Sequence, residues 1–263
     1  MPRIAWDEVG QRYYEAGVDR GVLYVADLPG VSWNGLTSVS ETPSGGEERS
    51  YYLDGIKHLS SSAAEEFVAT IEAFTYPPEF EACDGSEEIF DGLFATQRPR
   101  KSFGLSYRTK IGNDVDGLEH GYKIHLVYNA LAAPTNRGNS TIGDAIEPEN
   151  FSWSISTRPI TIPGYKPSSH FVIDSRRVDP LVLTDLENIL YGSDVTTAHL
   201  PTQEELFNIF QAYSGFVVVD NGDGSFTVTA PEDVLVMLDA TTFEITWPSA
   251  VYIDADSYTL SSP

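Results

Sequence analysis

Apolar and polar residues alternate along much of the 263-residue chain, and a period of two marks strands whose side chains point to opposite faces of a sheet. The clearest case is FGLSYRTKIGNDVDGLEHGYKIHLVYNALAAP at 103–134. Phe103, Leu105, Tyr107 and Ile111 fall on one face of a first arm, and Tyr122, Ile124, Leu126 and Tyr128 share one face of a second. Between them Gly112, Asn113, Asp114, Asp116, Gly117 and Gly121 tolerate positive φ or bond their own backbone, which predicts a hairpin with an exposed acidic loop over 112–121.

Other segments repeat the pattern. Residues 1–20 are mixed, GVLYVAD at 21–27 is a strand ended by Pro29 and Gly30, and LTSVSET at 36–42 pairs with RSYYLDGIKHL at 49–59 around the exposed tip PSGGEE. At 65–80, Phe67, Val68, Ile71 and Phe74 fit a helical stripe, while Val, Thr, Ile and aromatic residues favour a strand, which is the reading adopted for 66–76. Pro77-Pro78 ends it, PPEFEAC makes a single helical turn, and Asp84-Gly85 turns the chain. Residues 151–162 and 170–174 add strands, with a long polar connection at 135–150 before them. Leu183, Leu186, Ile189 and Leu190 with Gly192 behind them predict a helix near 180–191, and Thr202 three residues before Glu205 starts a second with a capping box. From Gly215 the chain becomes short strands punctuated by turn residues. The expected architecture is mostly β, a β-sandwich or small barrel with one or two short flanking helices. Residues 1–200 form its core and 201–263 a helix with short strands, packed on that core or appended as a small unit.

Charge sharpens the picture. The chain carries 16 Lys and Arg against 39 Asp and Glu, so its surface repels phosphate and ordinary nucleic-acid binding is disfavoured. No Lys or Arg follows Arg177, whereas 14 acidic residues lie between Asp179 and Asp256. Arg98, Arg100, Lys101, Arg108 and Lys110 are close enough in sequence to form one basic patch. Such polarity suits head-to-tail contacts between identical subunits, although an acidic solvated face by itself keeps a protein soluble. A lone cysteine, Cys83, excludes an internal disulfide and a multi-thiolate zinc site. No signal-peptide pattern or apolar run of membrane-spanning length is present.

Signatures of catalysis are sparse, and no catalytic, cofactor or metal residue is assigned. His58, His120, His125, His170 and His199 are scattered, and His120 and His125 fall on opposite faces of one strand. DNGDGSF at 220–226 has Gly at the third and fifth positions, where a calcium loop needs oxygen ligands. Gly104-Leu105-Ser106-Tyr107-Arg108 lacks the second glycine of a nucleophile elbow. The carboxylate pairs Glu65-Glu66, Glu87-Glu88 and Glu204-Glu205 leave a glycoside hydrolase as the enzymatic alternative, and Trp6, Trp33, Trp153 and Trp247 leave a carbohydrate-binding module.

Several segments together carry a family resemblance: GVDRGVLY at 17–24, WNGLTSVSE at 33–41, YLDGIK at 52–57, FTYPPEF at 74–80, FGLSYRT at 103–109, GYKIHLVYNA at 121–130, LENILYG at 186–192 and the closing FEITWPSAVYIDADSY. In order and spacing they resemble the major tail-tube proteins of long-tailed bacteriophages, particularly those infecting actinobacteria. The resemblance implies a non-catalytic virion protein, assembled in the host cytoplasm, whose hexameric rings stack into a hollow tail that carries the genome. Its partners would be copies of itself, a tape-measure protein and tail-tip or terminator proteins, with DNA passing through unbound. An acidic bore would repel phosphate from every wall. Contacts between subunits are expected from the loops at 42–48 and 112–121 and from the basic patch, through Gly45, Glu47, Arg98, Arg100, Lys101, Asp114, Asp116 and Glu119.

Overall fold

Strand-forming residues separated by Gly- and Asp-containing turns build the architecture. In a computed structural model the described residues are 6–263 apart from 27, 47, 63–64, 140, 142–147, 163–164, 214–216, 221–224, 230–233, 239–244, 254–256 and 262–263. At 48, at 61–62 and from 211 onward only the backbone is described. The chain divides into two compact units, Met1–Pro201 and Thr202–Pro263.

The first unit opens with β1 (Tyr14–Val25), β2 (Val31–Ser32) and β3 (Leu36–Glu41). β4 (Ser44–Gly45), β5 (Glu48–Leu53), β6 (Ile56–Ser62), β7 (Glu65–Glu66) and β8 (Val68–Ala73) follow. A 3₁₀ turn at Pro78–Phe80 runs into the single-turn helix α1 (Glu81–Asp84), which Gly85 ends at φ +86°. β9 (Glu87–Phe90) and β10 (Leu93–Ala95) form a small hairpin. β11 (Phe103–Asn113), β12 (Gly117–Ala132), β13 (Phe151–Thr157) and β14 (His170–Asp174) lead to helix α2 (Pro180–Tyr191).

One antiparallel sheet dominates, in the order β2-β1-β11-β12-β13-β8-β3, with β14 also on β12. β12 is long enough to serve two neighbours, pairing β14 through residues 123–127 and β13 through 130–132. The two edge strands β2 and β3 are joined by only Trp33, Asn34 and Gly35, so opposite edges of the sheet must meet at that corner and the sheet curls. The ladder between them stays open; the barrel is not closed. The Trp33 N–H donates to the Gly21 carbonyl at 2.8 Å, and its indole N–H donates to the Thr75 carbonyl at 3.1 Å. Glycine is required on both sides. A Cβ on Gly21 would lie 2.8 Å from Leu36, and Gly35, at φ +77°, would place one 2.8 Å from Thr75.

The concave face holds the core: Leu23 and Val25 on β1, Ala69, Ile71 and Ala73 on β8, Phe103, Leu105 and Tyr107 on β11, Val127, Ala130 and Ala132 on β12, and Trp153 and Ile155 on β13. Phe80 plugs it, touching Trp33, Trp153 and Phe103 with ring centroids 4.7, 5.1 and 5.3 Å apart. Cys83 is wholly buried, and burial pushes its thiol up to about 11, a structural rather than reactive cysteine.

The convex face of β1, β11 and β12 is covered as well. Val22, Tyr24, Ser106, Ile124, Leu126 and Tyr128 are buried there. Asp179 caps α2 by accepting from the Leu181 N–H at 2.8 Å, and Val182, Leu183, Leu186 and Leu190 form its buried stripe. The Tyr24 hydroxyl donates to the Leu190 carbonyl at 2.9 Å, leaving the Ser106 hydroxyl to donate back to it at 3.1 Å. Tyr122 and Arg20 both donate to Glu187 of α2, at 2.8 and 3.4 Å. Arg108 grips Asp19 bidentately at 2.7 and 2.8 Å and lies 4.7 Å over the Tyr122 ring, holding the Asp19 carboxyl below its ordinary range.

Most predicted elements are present: the 103–134 hairpin, a strand rather than a helix within 66–76, the helical turn after Pro77, and the helix capped by Asp179 and ended by Gly192 at φ +83°. Two expectations are corrected. Residues 36–42 do not pair with 49–59; β3 pairs β8, and β5 pairs β6. The cause is Asp54-Gly55, whose φ values of +48° and +80° make a two-residue turn of the mirror-image kind that matches strand twist. The 112–121 loop shrinks to Asp114–Asp116, because Asn113 Oδ1 accepts the N–H groups of Val115 and Asp116 and tightens the reversal.

The second unit begins with α3 (Gln203–Tyr213), preceded by the expected capping box: Glu205 accepts from the Thr202 N–H at 2.8 Å, and Thr202 Oγ1 accepts from the Glu205 N–H at 3.2 Å. β15 (Val217–Asp220), β16 (Ser225–Thr229), β17 (Val234–Leu238), β18 (Ile245–Ile253) and β19 (Ser257–Ser261) form two sheets, β15-β16-β19 and β17-β18. Rather than two short strands, 245–253 runs as the single strand β18, with Pro248 inside a break of register against β17. The 220–226 turn lies largely outside the described residues. Among the described residues no helix is long and apolar enough to cross a membrane.

The corner generates a prediction. Gly35→Ala forces a Cβ onto a positive φ against Thr75 and is expected to destabilise the fold by about 1–3 kcal/mol, read as a lower urea midpoint. Asn34→Ala, one residue away and exposed, is the control and should change the midpoint little.

Candidate assembly surface

Antiparallel pairing does not stop where the large sheet ends. β3 pairs β8 from Leu36↔Ala73 to Glu41↔Ala69, β4 pairs β7 at Ser44↔Glu66, and β5 pairs β6 from Glu48↔Ser62 to Leu53↔Ile56. Together they make one long hairpin whose outer part, Ser44 to Glu66, forms an arm. Its β5 strand, six residues from Glu48 to Leu53, spans roughly 20 Å at 3.3 Å per residue.

The arm is apolar and exposed. Tyr51 stands opposite Leu59 and Leu53 opposite Ile56 on one face, Tyr52 is on the other, and all five are more than half exposed. Isolated two-stranded hairpins are marginal in water, and contiguous exposed apolar faces mark interaction sites. The charge is suited to contact: Arg49 and Lys57 balance Glu48 and Asp54 within 48–62, whereas the whole chain carries −23.

A second apolar hairpin follows the other end of the β3–β8 pair along the chain. The arm leaves from the Glu41 and Val68 ends of β3 and β8, while the Ala73 end leads through α1 to β9 and β10. Ile89, Phe90, Leu93 and Phe94 on that hairpin are between 42% and 71% exposed. Beside it an open groove of about 1030 Å³ is lined by Pro78, Glu79, Glu81, Glu87, Glu88 and Arg98, among others. Burial raises the Glu81 carboxyl, with Glu88 adding to the effect. Glu88 accepts from the Gly92 N–H at 2.8 Å and Glu87 pairs with Arg98 at 3.1 Å, so both are engaged in holding the hairpin.

The residues expected to mediate contacts are dispersed. Gly45 is exposed at the root of the arm, at φ +89° opposite Glu65, and Glu47 lies outside the described residues. Arg98 pairs with Glu87, and Arg100 donates twice to the Asp84 carbonyl at 2.9 and 3.0 Å, fastening α1. Lys101 is exposed. Arg108 is engaged by Asp19 and sits seven residues along the extended chain from Lys101, roughly 23 Å, so the five basic residues do not form one patch. Asp114 accepts from the Gly10 N–H at 3.0 Å and Asp116 from His120 at 2.9 Å, while Glu119 is exposed beside them. The apolar hairpin tips were not singled out, although Asp54-Gly55 and Asp91-Gly92, each flanked by apolar residues, were the available signal.

A polar cluster lies at the arm's root. His125 of β12 and His170 of β14 face each other with Nδ1 and Nε2 3.1 Å apart, because β14 pairs with β12. Glu41, the last residue of β3, brings Oε1 to 3.6 Å from His125 Nδ1 and accepts from the Tyr107 hydroxyl at 2.9 Å. His125 Nε2 meets Thr109 Oγ1 at 3.0 Å, and its ring stacks on Tyr107 at 4.5 Å. Burial, reinforced by His170, pushes the His125 imidazole down to about 4, and burial lowers His170 too. These histidines are scattered in sequence and meet only through strand pairing.

No protein-family model matches the chain, and no curated protein sequence does. Among solved structures, similarity is found to a chain of the anti-feeding prophage baseplate at 8% identity and TM-score 0.33, covering 65% of this chain and 97% of that one. The sheath–tube complex of an extracellular contractile injection system gives 13% identity and TM-score 0.27, covering 59% and 88%; its sheath/tube terminator gives 14% and 0.26, covering 66% and 99%. Likenesses this low carry no argument about what this chain does.

The histidine cluster generates a pH prediction. An unfolded imidazole takes its proton near 6.5, the folded His125 only near 4. Between those values the unfolded state binds the proton and the folded state does not, so stability falls as pH drops through that window, by about 3 kcal/mol, and then levels. Asp19 and Asp174, held low by Arg108 and Arg176, add losses only below their ordinary 3.8. Urea midpoints measured from pH 7 to 4.5 with chelator present should show the decline, and His125→Gln should make it shallower, leaving the part due to His170.

Proposed function

We propose that this protein is a structural, non-catalytic subunit of a phage tail, which copies of itself build into a tube. The carrying observation is the placement of two exposed apolar hairpins at opposite ends of the β3–β8 pair. The arm of one copy, seated on the β9–β10 hairpin and groove of the next, makes a head-to-tail contact that does not close on itself and therefore propagates. The segments that resemble major tail-tube proteins support the finer reading: hexameric rings stacked into the conduit for genome ejection, assembled in the host cytoplasm and retained in the virion.

Within a ring, open backbone edges serve as joints. The first half of β1 pairs only with β11, and β14 pairs only with β12 among the described residues, leaving N–H and C=O groups for strand addition. The excess of acidic side chains suits a bore through which DNA slides without binding. Because head-to-tail growth has no intrinsic stop, tube length requires a tape-measure protein inside and terminator and tip proteins at the ends. Glu119 at the β11–β12 tip and Lys101, both exposed, would add polar contacts in this reading.

Electron microscopy and sedimentation of the purified chain at high concentration, across a salt series, test the reading. Rings or tubes are expected, and Tyr52→Asp with Ile56→Asp, or Phe90→Asp alone, should abolish stacking while the circular dichroism spectrum stays unchanged. A chain that remains monomeric under every condition would overturn it.

A further inference from the structure

We propose that Glu41, His125 and His170 form a binding site for one divalent transition-metal ion of the zinc class at the root of the arm. Two imidazole nitrogens and one carboxylate oxygen are the donor set of three-ligand zinc sites, which keep a fourth position for water or another ligand. Ligand atoms about 2.0–2.1 Å from a tetrahedral ion lie roughly 3.3–3.4 Å from one another. Here the His125 Nδ1 to His170 Nε2 distance is 3.1 Å, His125 Nδ1 to Glu41 Oε1 is 3.6 Å, and all three donor atoms lie within 4.8 Å of one another.

The surroundings match the requirements of such a centre. Thr109 Oγ1 holds the remote nitrogen of His125, leaving the lone pair of Nδ1 for the ion, and the Tyr107 hydroxyl orients Glu41. The Tyr107 ring stacks on His125, and Phe67 packs on His170 with centroids 4.2 Å apart, shielding the site from bulk water. Before binding, the two imidazoles share a proton edge to edge, their planes 13° apart. On binding, the His170 proton leaves Nε2, Nδ1 takes one up, and the ring swings aside so that both lone pairs reach the ion; no net proton is released. Mixed nitrogen and carboxylate donors favour zinc, cobalt, nickel or copper over magnesium or calcium.

The consequence is mechanical. β3 is hydrogen-bonded to β8 and not to β12 or β14, so an ion held by Glu41 and both histidines ties the strand that enters the arm to the wall opposite.

The test uses the full chain stripped with chelator and titrated with Co²⁺ in the visible spectrum, followed by Zn²⁺ competition in a calorimeter. Expected are one equivalent bound per chain, the intense bands of low-coordinate cobalt, and their loss on adding zinc. Glu41→Gln and His170→Gln, both at partly exposed positions, should each weaken binding about tenfold or more with unchanged circular dichroism. Only weak octahedral cobalt bands, no stoichiometric uptake, or binding unaffected in both variants would overturn the proposal and assign any uptake to surface carboxylates.

Discussion

The meeting of opposite sheet edges at Trp33–Gly35 is the constraint on which the first unit depends. With three residues between β2 and β3, the chain cannot lie flat, since the intervening strands would separate those edges by several strand spacings of roughly 4.8 Å. Curling is therefore enforced by connectivity. The Trp33 indole, at 3% exposure, fills the volume that curling encloses, and Gly21 and Gly35 give the space that its backbone needs. The concave core, the seat for Phe80 and the direction in which β3 continues into the arm follow from that corner.

Where β3 and β8 run past the curled sheet, the energetics change sign. Inside, alternate residues of β8 are buried at Ala69, Ile71 and Ala73, and each contributes by leaving water. Outside, Tyr51, Leu53, Ile56 and Leu59 carry the same kind of surface with nothing described against it. A ladder of backbone bonds and a favourable Asp-Gly turn hold the shape of the β5–β6 hairpin, while its apolar face stays exposed. The β9–β10 hairpin, reached from the Ala73 end of β8, repeats the arrangement with Ile89, Phe90, Leu93 and Phe94 exposed.

The acidic balance then acts as a filter. A body at −23 repels its own copies at long range, and of the arm from Ser44 to Glu66 only the β5–β6 tip at 48–62 is balanced, since Glu47, Glu65 and Glu66 leave its root acidic. A like-charged body is less opposed in approaching that tip than in approaching a surface of average charge, and it is there that apolar residues are exposed. Inside the unit, the basic residues are spent differently. Arg108, Arg100 and Arg176 bond Asp19, the Asp84 carbonyl and Asp174, fastening strands, α1 and the end of β14.

Local chemistry made the elements legible in the chain. Period-two alternation marked the strands at 103–134 and 170–174 and the start of the one drawn over 151–162, which ends at Thr157, the apolar stripe with the Gly192 stop marked α2, and Thr202 with Glu205 announced α3, because each depends on neighbours within a few residues. Pairing was legible only in part. Residues 36–42 had the right period but were matched to the wrong partner, since alternation specifies a face and not a neighbour, and the Asp54-Gly55 turn moved the reversal outward. Unreadable altogether was the convergence of Glu41, His125 and His170 from three strands. Such distances are set by strand order and register, which arise from packing the whole curled sheet rather than from any segment of it.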